Sequence, residues 1–228
     1  MNTLNQPLCP VCGNTTTALE NNLSRCGRCL HIFETDLKAT CSYDATYLET
    51  YIHHTTCDTM SAARAGIVLG TLKLPIGSKI LDIGYANGAF LKAMEHIGYD
   101  VYGMDLHGKD MGIREVKFDT PIVYDLVCFF DSIEHFENPK TVYQLQTHSV
   151  IISLPMRPSF FPAYPQKWKH YKPGEHLHYF SPESLDYFMR GWGMTRRIAS
   201  GNPEDIVRGR LTVDGLTYPN IYTAVYTR

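Results

Sequence analysis

At 228 residues, 44% of them hydrophobic, the chain is long enough for one catalytic domain of ordinary size plus a small appendage. Twenty-one Lys and Arg against 23 Asp and Glu give a formal charge of -2, without the basic excess that usually accompanies nucleic-acid binding. No apolar run is long enough to cross a bilayer, and the start MNTLNQPLCP lacks the basic and apolar regions of a signal peptide. The expectation is a cytoplasmic protein with no membrane partner.

Four of the seven cysteines fall in the first 29 residues. Cys9-Pro-Val-Cys12 and Cys26-Gly-Arg-Cys29 are two Cys-x-x-Cys knuckles separated by 13 residues, a spacing that lets two turns supply four thiolates to one tetrahedral zinc. Four thiolates leave no open position, so the ion expected at Cys9, Cys12, Cys26 and Cys29 is structural. So short a segment can scarcely bury enough core to fold without it. Residues 1–40 are read as this zinc ribbon, which either braces the remainder of the chain or touches the substrate. Few cations lie in it, Arg25, Arg28 and Lys38, which favours bracing or a contribution to the substrate cleft over a grip on RNA.

Residues 41–74 read as a helical connector or cap, with helical spacing over 60–73, MSAARAGIVLGTLK. Lys79-Ile-Leu-Asp-Ile-Gly84 follows as a buried strand running into a turn. Asn87 to Ile97 has the period of a helix that Gly98 ends, and Asp100-Val-Tyr-Gly-Met-Asp105 is a second strand closing on a carboxylate. Strand, close-approach turn, helix and acid-tipped strand together hold a nucleoside at the carboxyl edge of a parallel sheet. Gly84 and Gly88 do not supply the Gly-x-Gly-x-x-Gly spacing of a dinucleotide site.

Leu81-Asp-Ile-Gly84-Tyr-Ala-Asn-Gly88-Ala-Phe resembles the first motif of class I S-adenosylmethionine-dependent methyltransferases, and Asp105 matches their ribose-binding acid. The resemblance covers roughly residues 60–200. It implies an α/β, Rossmann-like, mostly parallel seven-stranded sheet with helices on both faces, occupying residues 75–228. It also implies S-adenosylmethionine as cofactor beside the zinc, held by Asp82, Gly84, Tyr85, Gly88, Asp105 and Leu106. Ala86 departs from the family pattern, standing where the middle glycine usually lies. Val116-Lys-Phe-Asp119 is read as the edge of a third strand, with Asp119 either meeting the adenine amino group or serving as a turn acid before Pro121.

Tyr124 to Phe130 is a further buried strand, leading into Asp131-Ser-Ile-Glu134-His135. Asp131 lies where open α/β sheets place ligand contacts. The Glu-His pair resembles a segment that, in methyltransferases of small molecules, borders cofactor and substrate. His135 is read either as a general base or as a structural histidine. Ser149 to Leu154 is a fifth strand, and residues 156–180, rich in aromatic rings and prolines, read as a lid over an acceptor. His176, His178 and Tyr179 within it are candidate catalytic groups, and Ser181 with Pro182 starts a helix. Arg157, Lys167, Lys169 and Lys172 suit an anionic small molecule such as a nucleotide-linked sugar. The tail reads as strands closing one edge of the sheet. The functional expectation is methyl transfer to a small-molecule acceptor. The alternatives are an RNA methyltransferase gripping nucleic acid through the ribbon, and a noncatalytic interaction module.

Overall fold

A computed structural model describes residues 6–41, 57–106, 112–200 and 221–228. Three short strands open the chain, β1 (Thr16–Ala18), β2 (Leu23–Cys26) and β3 (Ile32–Glu34). Helix α1 (Cys57–Thr71) leads to β4 (Lys79–Ile83), α2 (Ala89–Ile97), β5 (Asp100–Met104), β6 (Val123–Phe130) and β7 (Gln146–Pro155). Then come β8 (His178–Tyr179), α3 (Pro182–Gly191), β9 (Thr195–Ser200) and β10 (Ile221–Thr227). Residues 201–220, part of the tail read as strands, lie outside the described residues.

The main sheet has the order β5-β4-β6-β7-β10-β9. β5, β4, β6 and β7 are parallel, while β10 runs antiparallel between β7 and β9. Buried parallel strands read as continuous apolar runs because both faces are covered, and β6 shows it. Its Leu126, Cys128 and Phe130 face one layer with Phe90, Leu91 and Met94 of α2. Val127 and Phe129 face the other, with Phe188 of α3 and with Trp192. On β4 the same alternation sends Ile80 to the α2 side and Leu81 and Ile83 to the α3 side.

The described sheet has six strands rather than seven. Where a third parallel strand was expected, the chain makes a single bridge, Gly103 to Glu115, with the Gly103 amide donating to Arg114 and the Val116 amide to Gly103. From Glu115 the chain has seven residues to descend to the start of β6 at Val123, and the turn at Phe118–Asp119 uses part of that length. The tail strands close one edge of the sheet as expected, with β9 outermost and the antiparallel β10 buried between it and β7.

Helix ends follow local chemistry. Ser181 caps α3 in a capping box with Ser184, and Pro182 sits in the first turn. Gly98 stops α2 at φ 109, its amide donating back to Glu95 and Met94.

A second, four-stranded sheet, β1-β2-β3-β8, joins the amino-terminal strands to the lid. β8 pairs antiparallel with β3 through Ile32–Tyr179 and Phe33–His178. Phe161, Trp168 and Tyr179 pack on Leu23 and Ile32. Much of the aromatic content of the lid therefore covers the amino-terminal strands instead of an acceptor.

Candidate active site

β5 leaves β4 on one side and β6 lies on the other, so the strand order reverses at the carboxyl ends of β4 and β6. A ligand crevice in an open parallel sheet forms at such a point. The turn after β4 and the segment after β6 meet there closely: a Cβ on Gly84, whose φ is 84°, would lie 2.8 Å from Cβ of Ser132. Only glycine fits both that backbone and that space.

The turn is tied to the acid at the end of β5. The Ala86 amide donates to Oδ2 of Asp105 at 2.9 Å. Ala86 itself holds φ 49°, the left-handed conformation a glycine takes without strain, and Gly88 follows at φ 69°. The departure from the family pattern thus leaves the turn's path intact at a cost of about 1–2 kcal/mol.

Asp82 points into the layer between the sheet and α1. It is 3% exposed, burial raises its carboxyl to about 7, and Oδ1 has no hydrogen-bond partner among the described residues. Ser132 Oγ, on the opposite wall of the crevice, is likewise without one. Buried polar atoms of this kind are where a polar ligand is expected to bind. Asp131, the first residue after β6, adopts φ 53°, rare for a non-glycine and typical of functional turns.

Arg64 of α1 was not singled out in the sequence. Its guanidinium lies 3.9 Å from Asp131 and 4.3 Å from the ring centre of Phe130, and its charge favours the ionised form of Asp82. The available signal was a lone cation inside the apolar run SAARAGIVLG.

Tyr85, Leu106 and Asp119, also expected at the cofactor, have three different settings. Tyr85 turns into the core, its ring against Gly103 and its hydroxyl donating to Glu115 at 2.6 Å, so it anchors the turn instead of lining the crevice. Leu106 is 84% exposed beside Asp105. Asp119 lies on an exposed turn in the descent toward β6.

Of the expected catalytic side chains, His135 and His176 come together, ring centres 4.7 Å apart and planes perpendicular. Nδ1 of His135 lies 2.8 Å from the Glu175 carbonyl, which puts the proton on Nδ1 and the lone pair on Nε2. Burial pulls His135 down to about 4 and His176 to about 2, so both rings are neutral at physiological pH. His178 and Tyr179 do not join them. Both ring nitrogens of His178 are used, Nδ1 on His31 at 3.0 Å and Nε2 on the Phe136 carbonyl at 2.8 Å. The Tyr179 hydroxyl donates to Oε1 of Glu34 at 3.3 Å. They take part in the seam between β3 and β8. His31 and Glu34, missed in the sequence, carry the other half of that seam.

The four amino-terminal cysteines converge. Sγ of Cys9 lies 3.5 Å from Cys29, and Sγ of Cys12 lies 3.3 Å from Cys26. Four sulfurs at 2.3 Å from a tetrahedral ion are roughly 3.8 Å apart, so the cluster is compatible with zinc after a small expansion. The amides of Arg28 and Cys29 already aim at Sγ of Cys26.

A family model described as a methyltransferase domain matches residues 53–195. The chain belongs to this methyltransferase family. Solved structures agree on its fold. A SAM-dependent methyltransferase from Archaeoglobus fulgidus is 18% identical, with TM-score 0.55, over 81% of this chain and 100% of that one. Magnesium protoporphyrin IX methyltransferase from Synechocystis, solved with bound SAH, is 14% identical, with TM-score 0.51, over 84% and 91%. A complex between the Haloferax volcanii Trm112 methyltransferase activator and a putative methyltransferase contributes a match at 11% identity, with TM-score 0.57, over 80% and 94%. No curated protein matches the chain. The protein is a methyltransferase, and no helix among its described residues is long and apolar enough to cross a membrane.

Proposed function

We propose that this methyltransferase transfers the methyl group of S-adenosylmethionine to a small-molecule acceptor seated against His135 and His176. The observation that carries the reading is the reversal of strand order at Gly84 and Ser132. The Asp105 carboxylate and the Arg64 guanidinium would border one crevice there, with His135 three residues beyond Ser132 and the His176 ring against it. The residues fit the cofactor: Gly84 leaves room for close approach, Asp105 would accept from ribose hydroxyls, and Arg64 would hold the methionine carboxylate. When bound, the cofactor supplies an electrophilic methyl on a sulfonium, so no metal is required to activate it.

The protein's part is to align the acceptor in line with the methyl-sulfur bond and exclude water. His135 and His176 are neutral, and at these low pKa values they are weak bases. An anionic acceptor has less support than the sequence suggested. Arg157 donates to the Leu30 carbonyl at 3.2 Å, Lys172 pairs with Glu175 at 2.6 Å, and Lys167 sits over the Tyr164 ring.

The four-cysteine segment is proposed to be a zinc ribbon, residues 1–40, that braces the lid at 156–180. Its strands spend one face on Phe161, Trp168 and Tyr179, which speaks against a nucleic-acid grip. Four thiolates held for a metal also suit a reducing compartment such as the cytoplasm.

Calorimetry with S-adenosylmethionine, S-adenosylhomocysteine and NAD tests the reading. Saturable binding of the first two but not the third is expected, weakened about tenfold or more in Arg64→Ala. Absence of binding by either sulfur ligand would turn the interpretation to a noncatalytic module.

A further inference from the structure

Beside the cofactor crevice a second set of ligating side chains converges. One ligand atom each from Glu134, His135 and His176 lies within 4.8 Å of the other two. Glu134 and His135 come from the 3₁₀ turn after β6, and His176 comes from the turn before β8. Glu134 is 1% exposed and His176 5%, whereas His135 is partly open to solvent. A carboxylate is rarely buried so deeply unless a cation or a set of hydrogen bonds compensates it.

Each imidazole is oriented through a backbone group. His135 places Nδ1 on the Glu175 carbonyl at 2.8 Å, and the His176 ring is hydrogen-bonded to the backbone of His170. Metal-ligating histidines are held this way: one nitrogen fixed on a carbonyl, the ring oriented, and the other nitrogen presenting its lone pair. Burial keeps both rings in the neutral form that ligates metals.

We propose that Glu134, His135 and His176 form a three-ligand site for a divalent transition-metal ion of the zinc and cobalt type, separate from the four-cysteine cluster. Two imidazoles and one carboxylate select such ions over calcium or magnesium, which prefer oxygen alone. Ligand atoms about 2.1 Å from a tetrahedral ion are roughly 3.4 Å apart, so the side chains need close by no more than about 1.4 Å on binding. Three protein ligands leave a fourth position, the arrangement of catalytic rather than structural zinc. That this position receives an oxygen or nitrogen of the acceptor rests on the small-molecule reading above; the metal site itself does not.

Titration of the zinc-loaded protein with Co2+, followed by visible absorption and metal analysis, tests the site. One further equivalent is expected, with d–d bands and no thiolate charge-transfer absorption. Its affinity should fall tenfold or more in both Glu134→Gln and His176→Gln, with the metal of the cysteine cluster retained. Absence of that equivalent in the wild-type protein, which is decisive even where a variant fails to fold, overturns the proposal. So does a cobalt signal that persists in both variants. S-adenosylhomocysteine calorimetry on the same wild-type sample separates the two ideas: lost cofactor binding removes the methyltransferase reading and leaves the metal result intact.

Discussion

Nε2 of His31 and Nδ1 of His178 lie 3.0 Å apart, and Nε2 of His178 lies 2.8 Å from the Phe136 carbonyl. A carbonyl only accepts, so His178 carries its proton on Nε2 and His31 donates from its own Nε2. Burial pulls His178 down to about 4 and holds His31 well below its ordinary value, so this neutral pattern persists at physiological pH. One buried chain of hydrogen bonds thus runs from the ribbon through β8 to the segment that carries Glu134 and His135.

His178→Ala breaks that chain and strands two buried partners, the His31 N–H and the Phe136 carbonyl. A loss of about 2–4 kcal/mol in urea unfolding is expected, with S-adenosylmethionine affinity in the surviving folded protein changed less than about threefold. Lost turnover at unchanged stability would return His178 to the catalytic group.

Cys26→Ser is expected to release the amino-terminal metal and to loosen more than the ribbon. Because β3 pairs with β8 and the Glu34 amide donates to Leu177, amide exchange should accelerate at Leu177, His178 and Tyr179 as well as at residues 9–34. Full metal retention would count against a four-cysteine site, and acceleration confined to the ribbon would count against the brace.

Asp105→Ala removes both the expected ribose contact and the acceptor of the Ala86 amide. Cofactor affinity should fall about a hundredfold or more while the melting temperature drops only a few degrees. Ala86→Gly is expected to act in the opposite sense, relieving the left-handed strain and raising stability by about 1 kcal/mol with binding kept. Unchanged affinity in the first variant takes Asp105 out of the site.

Asp82 titrates at about 7 in the folded chain against an ordinary value of 3.8. Between those values the native state binds the extra proton, so the contribution of Asp82 to stability declines as pH rises through this window and is a constant cost above it. Asp82→Asn should therefore be more stable than wild type above about pH 7 and lose the advantage in acid, as read by melts from pH 5 to about 9. A cationic cofactor beside the carboxylate draws it to its ionised form. Wild-type S-adenosylmethionine affinity should tighten by up to roughly tenfold per unit below pH 7 as pH rises, with proton release seen in buffers of different ionisation enthalpy. A flat profile would place the cofactor charge elsewhere.

Short-range pattern was enough to predict the strands at Lys79–Ile83, Asp100–Met104 and Tyr124–Phe130, the stop at Gly98 and the cap at Ser181, because apolar periodicity and capping are local properties. Cysteine spacing did the same for the convergence of Cys9, Cys12, Cys26 and Cys29. What lay beyond sequence were relations between distant segments. The third strand shrank to one bridge because the descent to β6 leaves little chain for more. The histidines of the lid divided, His176 joining Glu134 and His135 and His178 turning to His31, since pairing of β8 with β3 decides which way each ring faces. Arg64 enters the crevice only because α1 packs over Phe130. Spacing along a chain determines local elements and cysteine clusters, whereas the direction of a buried polar side chain depends on which distant partner the packed fold brings within hydrogen-bonding distance.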